Sequence, residues 1–282
     1  MRLFLLATLA VLVAGCDGPP DADALLDRVQ ERFAADMEDV RTLAVTGEGV
    51  TAYFRRTDPD SLFLFESRIA PADSLRSPSS DAGLVTSYLP NVIQWVRGLR
   101  GNVRLVGERT LSGGTVYVLQ AGDVRAFLGI PEDMPDEALR GEIADVAQVF
   151  VDAETARVRG LRFESEPDSG RTRPIVQETI YEAFREADGH VLPFAIHHRS
   201  EGMDQLIPRE QRVVMMGNLT VQRAQAERLP PERRTAALAE IERRTRELQT
   251  GEAESTFRVD SVRVNGGIPN GLFALPRAAP EP

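Results

Sequence analysis

Cys16 is the only cysteine in this 282-residue chain, and His190, His197 and His198 are its only histidines. Few side chains here could do covalent or metal chemistry. His197 and His198 are neighbours in a segment that reads as a strand, so their rings point to opposite faces and cannot share one metal ion. His190 falls in a turn, and all three are expected on a sheet surface. Acidic pairs such as Glu132-Asp133, Asp136-Glu137 and Glu164/Glu166 could suggest acid–base work or calcium. No D-x-[DN]-x-[DN]-G loop is present, however, and with 43 acids in the chain these pairs read as solvated side chains. No serine lies in G-x-S-x-G with a histidine placed to partner it. A single cysteine excludes disulfides and cysteine-based zinc sites. The 33 basic residues are all arginine, which removes P-loop, Schiff-base and kinase-type lysine chemistry. The residues therefore point to a protein without catalytic site, metal or cofactor.

The chemistry that remains is that of Cys16. Arg2 is followed by an apolar run, Leu3 to Val13, of about half the length needed to span a bilayer. It reads as the core of a signal peptide. Its end, Leu12-Val13-Ala14-Gly15-Cys16, resembles the bacterial lipobox. That resemblance implies cleavage before Cys16, acylation of its thiol (palmitate or a similar chain) and stable attachment through two or more acyl chains. Residues 1–15 are then a lipoprotein signal peptide and residues 16–22 a lipidated polar tether. Asp17 resembles an inner-membrane retention signal of enteric bacteria, and the choice of inner or outer membrane stays open. The net charge of −10 argues against nucleic acid and against electrostatic attachment to anionic lipid, so membrane contact is expected through the lipid. No second apolar run is long enough to span a bilayer.

The elements around these residues are mainly strands. Leu25, Leu26, Val29 and Phe33 form one apolar stripe and predict a helix over Asp21 to Glu38. A long glycine-marked strand, Val40 to Phe54, and a strand at Ser61 to Glu66 follow. Pro90 to Gly98 reads as a short helix. Val103–Arg109 and Thr115–Gln120 read as a hairpin around Ser112-Gly113-Gly114. Asp123 to Gln148 is a polar, partly helical excursion. Strands at Val149–Val151, Arg157–Glu166 and Ile175–Glu186 come next, the last turning through Asp188-Gly189 into Val191–Arg199. Gln211–Thr220 reads as a strand, Pro231 to Gln249 as a charged helix with Leu238, Ile241 and Leu248 on one stripe, and Thr256–Val264 as the last strand. About ten antiparallel strands with short turns predict a curved or partly closed sheet with helices plugging it.

The leading helix, the glycine-marked strand and the Asp152-Ala153-Glu154-Thr155 turn carry a family likeness. Tyr181-Glu182-Ala183-Phe184-Arg185, Asp188-Gly189-His190-Val191-Leu192-Pro193 and the closing Val262-Arg263-Val264-Asn265 extend it over most of residues 23–276. Together they resemble the outer-membrane lipoprotein-sorting carriers and their lipid-anchored relatives, the LolA/LolB-like superfamily. The resemblance implies a mainly β (α+β) fold, an open antiparallel half-barrel with helices capping the concave face. It also implies an apolar cavity for acyl chains. The domain is then residues 23–276, with a helical insertion at about 222–250 and a flexible tail at 277–282. Cys16 points to a receptor-like or divergent relative. The ligand site is expected among Phe54, Phe63, Phe65, Trp95, Phe163, Phe184 and Phe194. The same aromatics could equally fill a closed core, and sequence leaves the two open. The expected function is binding of a lipid or lipoprotein acyl chain in the periplasm. The alternative is a structural or sensory envelope lipoprotein that binds a protein partner and has no ligand cavity.

Overall fold

A computed structural model describes residues 20–58, 65–71, 84–85, 87–88, 93, 96–128, 130, 144–167, 171–269 and 271–273. Cys16, Phe63, Trp95, the signal peptide and the tail lie outside the described residues. Asp21 starts the first helix: its carboxylate accepts from the amides of Asp23 and Ala24, both at 3.1 Å, satisfying donors that the first turn leaves open. The helix α1 (Ala22–Met37) buries Leu25, Leu26, Val29, Phe33 and Met37, the stripe expected from sequence.

The segment read as one strand from Val40 to Phe54 is two, β1 (Thr42–Gly47) and β2 (Val50–Arg56), paired in register from Thr42–Arg55 to Gly47–Val50. Glu48 and Gly49 between them both have positive φ, 49° and 80°, the backbone of a two-residue hairpin turn that matches strand twist. Burial on both faces of β1, where Leu43, Ala44 and Val45 are all buried, masks that turn in the sequence. β3 (Phe65–Pro71) completes this half by pairing with β2.

The meander β4 (Val103–Leu111), β5 (Gly114–Ala121), β6 (Val146–Asp152), β7 (Val158–Ser165) and β8 (Ile175–Glu182) is antiparallel throughout. A short helix, α2 (Val124–Leu128), stands between β5 and β6. The strand expected over Ile175–Glu186 breaks at Ala183, whose φ is 52°. Its continuation, β9 (Arg185–Ala187), pairs with β10 (His190–Leu192) through Asp188-Gly189, and β11 (Ala195–Glu201) returns along β8.

Gln211–Thr220 is not a strand. It is part of a helix, α3 (Arg209–Ala226), followed by α4 (Pro231–Thr250). The run of Val213, Val214, Thr220 and Val221 misleads a propensity reading; packing against α4 decides for helix. Leu219 and Ala226 of α3 meet Ile241 and Leu248 of α4 in a small core of their own, so the α4 stripe packs on a helix and not on the sheet. Gly251 ends α4 in the left-handed conformation, φ 69°, as helix ends favour. The last expected strand is also two, β12 (Ala253–Arg258) and β13 (Ser261–Val264), which belong to different sheets.

The strand orders are β13-β1-β2-β3 and β12-β11-β8-β7-β6-β5-β4. The bend at Val259-Asp260 passes the chain from one sheet to the other. There the Asp260 amide donates to the Thr46 carbonyl at 2.8 Å and the Val259 amide to Phe194 at 3.0 Å. A Cβ on Gly47 would collide with the Arg258 carbonyl, so glycine is what lets the two sheets meet. Among the described residues β3 and β4 end their sheets on one side and β13 and β12 on the other, and the assembly is an open antiparallel half-barrel, not a closed one. One apolar core joins both sheets to α1 and to Val85, Tyr88, Ile93, Val96 and Leu99, which cover the concave face.

Candidate functional site: the helix-covered concave face

Alternation along the strands places the site. Leu119, Val149, Leu161, Tyr181, Ile196 and Phe257 face the concave side and join the main core, whereas Val116, Val118 and Phe150 face the convex side in a small separate cluster. The cover on the concave side is tied down at few polar points. Tyr88 Oη donates to the Pro193 carbonyl at 2.8 Å and Tyr181 Oη to the Ser87 carbonyl at 2.6 Å. Both rings are wholly buried, and burial pushes both phenols far above their ordinary pKa.

Asp36, on the last turn of α1, is the second tie. Its carboxylate accepts from Arg157 Nε at 3.0 Å and Arg157 Nη2 at 3.2 Å, and from Arg32 Nε at 3.2 Å. Burial raises the Asp36 pKa, against the lowering pull of Arg32 and His190. The Asp36 carbonyl lies 2.6 Å from His190 Nδ1, so His190 is a strand residue that clamps the helix end. Arg56 Nη2 donates to the Met37 carbonyl at 2.6 Å, adding a third tie to the same helix end.

Beside this cluster an apolar recess opens along the seam between α1 and the sheet. Phe33, Met37, Ile93, Val158, Phe184 and Leu192 line it, with Asp36 and Arg157 at its rim, and its volume is about 30 Å³. That is the space of one water molecule, against roughly 300–1,000 Å³ for a site that engulfs a ligand. Among the described residues, then, this recess is too small to engulf a ligand. A larger open groove of about 570 Å³ lies elsewhere, between α3, α4 and the ends of β11 and β12.

The described aromatic residues singled out from sequence all belong to the main core or pack against it. Phe54 is fully buried in the main core, with its ring centroid 6.0 Å from that of Tyr88. Phe65 is buried on β3 under the guanidinium of Arg56, 5.8 Å away. Phe163 is half-buried against Phe127 at 6.0 Å. Phe184 and Phe194 are half-buried beneath Arg159 and Arg185, at 5.5 Å and 5.2 Å. Among the described members of the set only Phe184 lines the recess. Sequence reasoning missed Tyr88, Tyr181, Phe127 and Phe257, each buried on the concave side.

The convex face holds an arrangement that imitates a catalytic triad. His197 Nδ1 is 3.0 Å from Thr256 Oγ1 and its Nε2 is 3.0 Å from Glu182 Oε2, while Ser112 donates to Glu182. Thr256 is the direct cross-strand partner of His197 and lies mid-strand on an open sheet surface. The arrangement is a cross-strand polar ladder. Arg109, held by Glu178 at 2.5 Å and lying over Phe150 at 5.0 Å, continues it. Among the described residues no group of three or more histidine, cysteine or acidic side chains could hold a metal ion. No described helix is long and apolar enough to cross a membrane.

No protein-family model matches the chain, and no curated protein does. Among solved structures it is similar to a domain named for outer membrane lipoprotein sorting, from Vibrio parahaemolyticus, with 10% identity, 90% of this chain and 97% of that one covered, and a TM-score of 0.39. A DUF1329 family protein from Desulfovibrio piger is similar at 11% identity, 90% and 98% coverage and a TM-score of 0.40. A LolA superfamily protein from Nitrosomonas europaea, at 12% identity, 91% and 99% coverage and a TM-score of 0.31, is of the same kind. These likenesses concern fold alone, and the open half-barrel described above rests on its own strand order and core.

Proposed function

We propose that this chain is a bacterial envelope lipoprotein, processed before Cys16 and anchored by lipid to the inner or outer membrane. On this reading it faces the periplasm and binds an acyl chain of a lipid or lipoprotein, for lipid or lipoprotein transport or envelope assembly. The observation that carries this reading is the apolar concave face covered by a helix, α1, that contributes no strand hydrogen bonds. An acyl chain lifting α1 would exchange one apolar cover for another, which leaves the area removed from water nearly unchanged. The 30 Å³ recess at the seam is where such a chain would enter, and the Asp36–Arg157 and tyrosine ties set how readily the cover lifts. Titration of a fluorescent fatty acid into the purified chain, with native mass spectrometry of lipid extracts, tests it. Saturable one-to-one binding supports the reading. No binding by the wild type or by a Tyr88→Phe/Tyr181→Phe variant with loosened cover would overturn it.

A second reading, a structural or sensory lipoprotein without a ligand cavity that binds a protein partner, is favoured by an exposed apolar stretch on α3. There Val213 is 67%, Val214 62% and Val221 56% exposed, unusual for side chains with no partner.

A further inference from the structure

α3 packs on α4 through Leu219 and Ala226 and turns a second apolar face outward. At about 100° per residue, Glu210, Val213, Val214, Val221 and Ala224 all fall within about 60° of Gly217 on the helix surface. All are exposed. A Cβ placed on Gly217 would meet nothing within 4 Å, so the middle of this face is a notch between valines. Glu210 stands at one end of the stripe and Arg228 just beyond the other. Neither makes an ion pair among the described residues.

We propose that this face binds the same face of a second copy of the chain, α3 against α3 in antiparallel orientation about a two-fold axis near residue 219. The observation is self-complementarity. In that register Val214 opposes Ala224 of the other copy and Gly217 opposes Val221. Val214 and Val221 therefore each meet a small residue, as close helix packing requires. Each two-fold interface repeats every contact, and the same register brings Glu210 beside Arg228 at both ends. A two-fold pairing is the arrangement in which one acid and one base at opposite ends of a single helix satisfy each other twice. A bilayer would match the face less well. It carries no Trp, Phe or Leu of the kind that anchors interfacial helices, its ends are of opposite charge, and the chain's net charge of −10 repels anionic lipid.

Sedimentation equilibrium of the full chain in density-matched detergent, near physiological ionic strength where longer-range repulsion is screened, tests this. The wild type sediments as a dimer. Gly217→Leu has room in the single chain, so its thermal midpoint does not fall, yet it blocks close approach and weakens the dimer by about tenfold or more. Glu210→Arg and Arg228→Glu each weaken it, and the two together restore it. A monomeric wild type, or a Gly217→Leu variant as dimeric as the wild type, overturns the proposal. So does a monomer that, with residues 1–19 removed, floats with phosphatidylglycerol vesicles, which would give the face to the bilayer.

Discussion

Tyr181 on β8 donates its hydroxyl proton to the carbonyl of Ser87 at 2.6 Å, from a ring with no exposed surface. Tyr88 makes the opposite connection, from the covering segment to Pro193 at 2.8 Å. Removing either hydroxyl strands a buried carbonyl. We expect Tyr181→Phe and Tyr88→Phe each to cost about 1–3 kcal/mol of stability in urea melts. If the concave face admits an acyl chain, the double variant should also bind a fatty-acid probe faster than the wild type in stopped-flow mixing.

Phe54 and Phe184 separate a packed core from a site wall. Phe54→Ala should cost about 3–5 kcal/mol, since its ring is enclosed on all sides. Phe184 lines the recess and is half-exposed, so Phe184→Ala should cost no more than about 1–2 kcal/mol while weakening probe binding. Paired denaturation and displacement titrations would show it; equal stability losses at the two positions would remove Phe184 from the proposed site.

His198 is expected to make the fold sensitive to mild acid. Burial pushes its pKa below the ordinary 6.5, while the unfolded imidazole titrates at that value. Above it both states are neutral and there is no penalty. As pH falls below it the unfolded chain takes up a proton that the folded chain resists, so stability declines until the folded value is passed. His198→Gln retains a polar group near Thr179, whose hydroxyl is 3.2 Å from the ring, but does not titrate. Its urea midpoint should therefore change less than that of the wild type between about pH 7 and pH 5.

The helical pair α3–α4 stands between β11 and β12, which are already paired with Ser200 opposite Ala253. Replacing residues 202–251 by an Asn-Gly turn should leave a cooperatively melting half-barrel. Removing 232–249 alone should not, because it exposes Leu219 and Met216. Differential scanning calorimetry of the two deletions distinguishes them, and loss of the transition in both would make the pair part of the core.

Cys16→Ser should abolish incorporation of a fatty-acid analogue during growth and leave the signal peptide uncleaved. Equal labelling of variant and wild type would refute lipidation at that residue.

Much of the architecture was legible in the sequence because it is written in local terms. Asp21 and the Leu25–Phe33 stripe announce α1, and Ser112-Gly113 and Asp188-Gly189 announce their hairpins. The hairpin at Glu48-Gly49 was hidden because strands buried on both faces lose the alternation that marks their ends. α3 was hidden because its valines are at home in strands, and only the partner helix reveals what they do. The tyrosine latch could not be read at all, since Tyr181 and Ser87 are 94 residues apart and nothing local to either records the other.

The pairing of β1 with β13 has a consequence for how the chain reaches this state. Leu43 lies beside Val264, and the Asn265 carboxamide oxygen accepts from the amide of Arg41, 224 residues away, at 2.7 Å. The first sheet therefore cannot be completed until nearly all of the chain has emerged. Contacts of such separation form slowly, so the N-terminal strands stay unpaired on their C-terminal side while synthesis proceeds. On the proposed envelope reading, delayed closure would keep the chain competent to thread an export channel, with the last strand to arrive as the trigger that commits it to the native state.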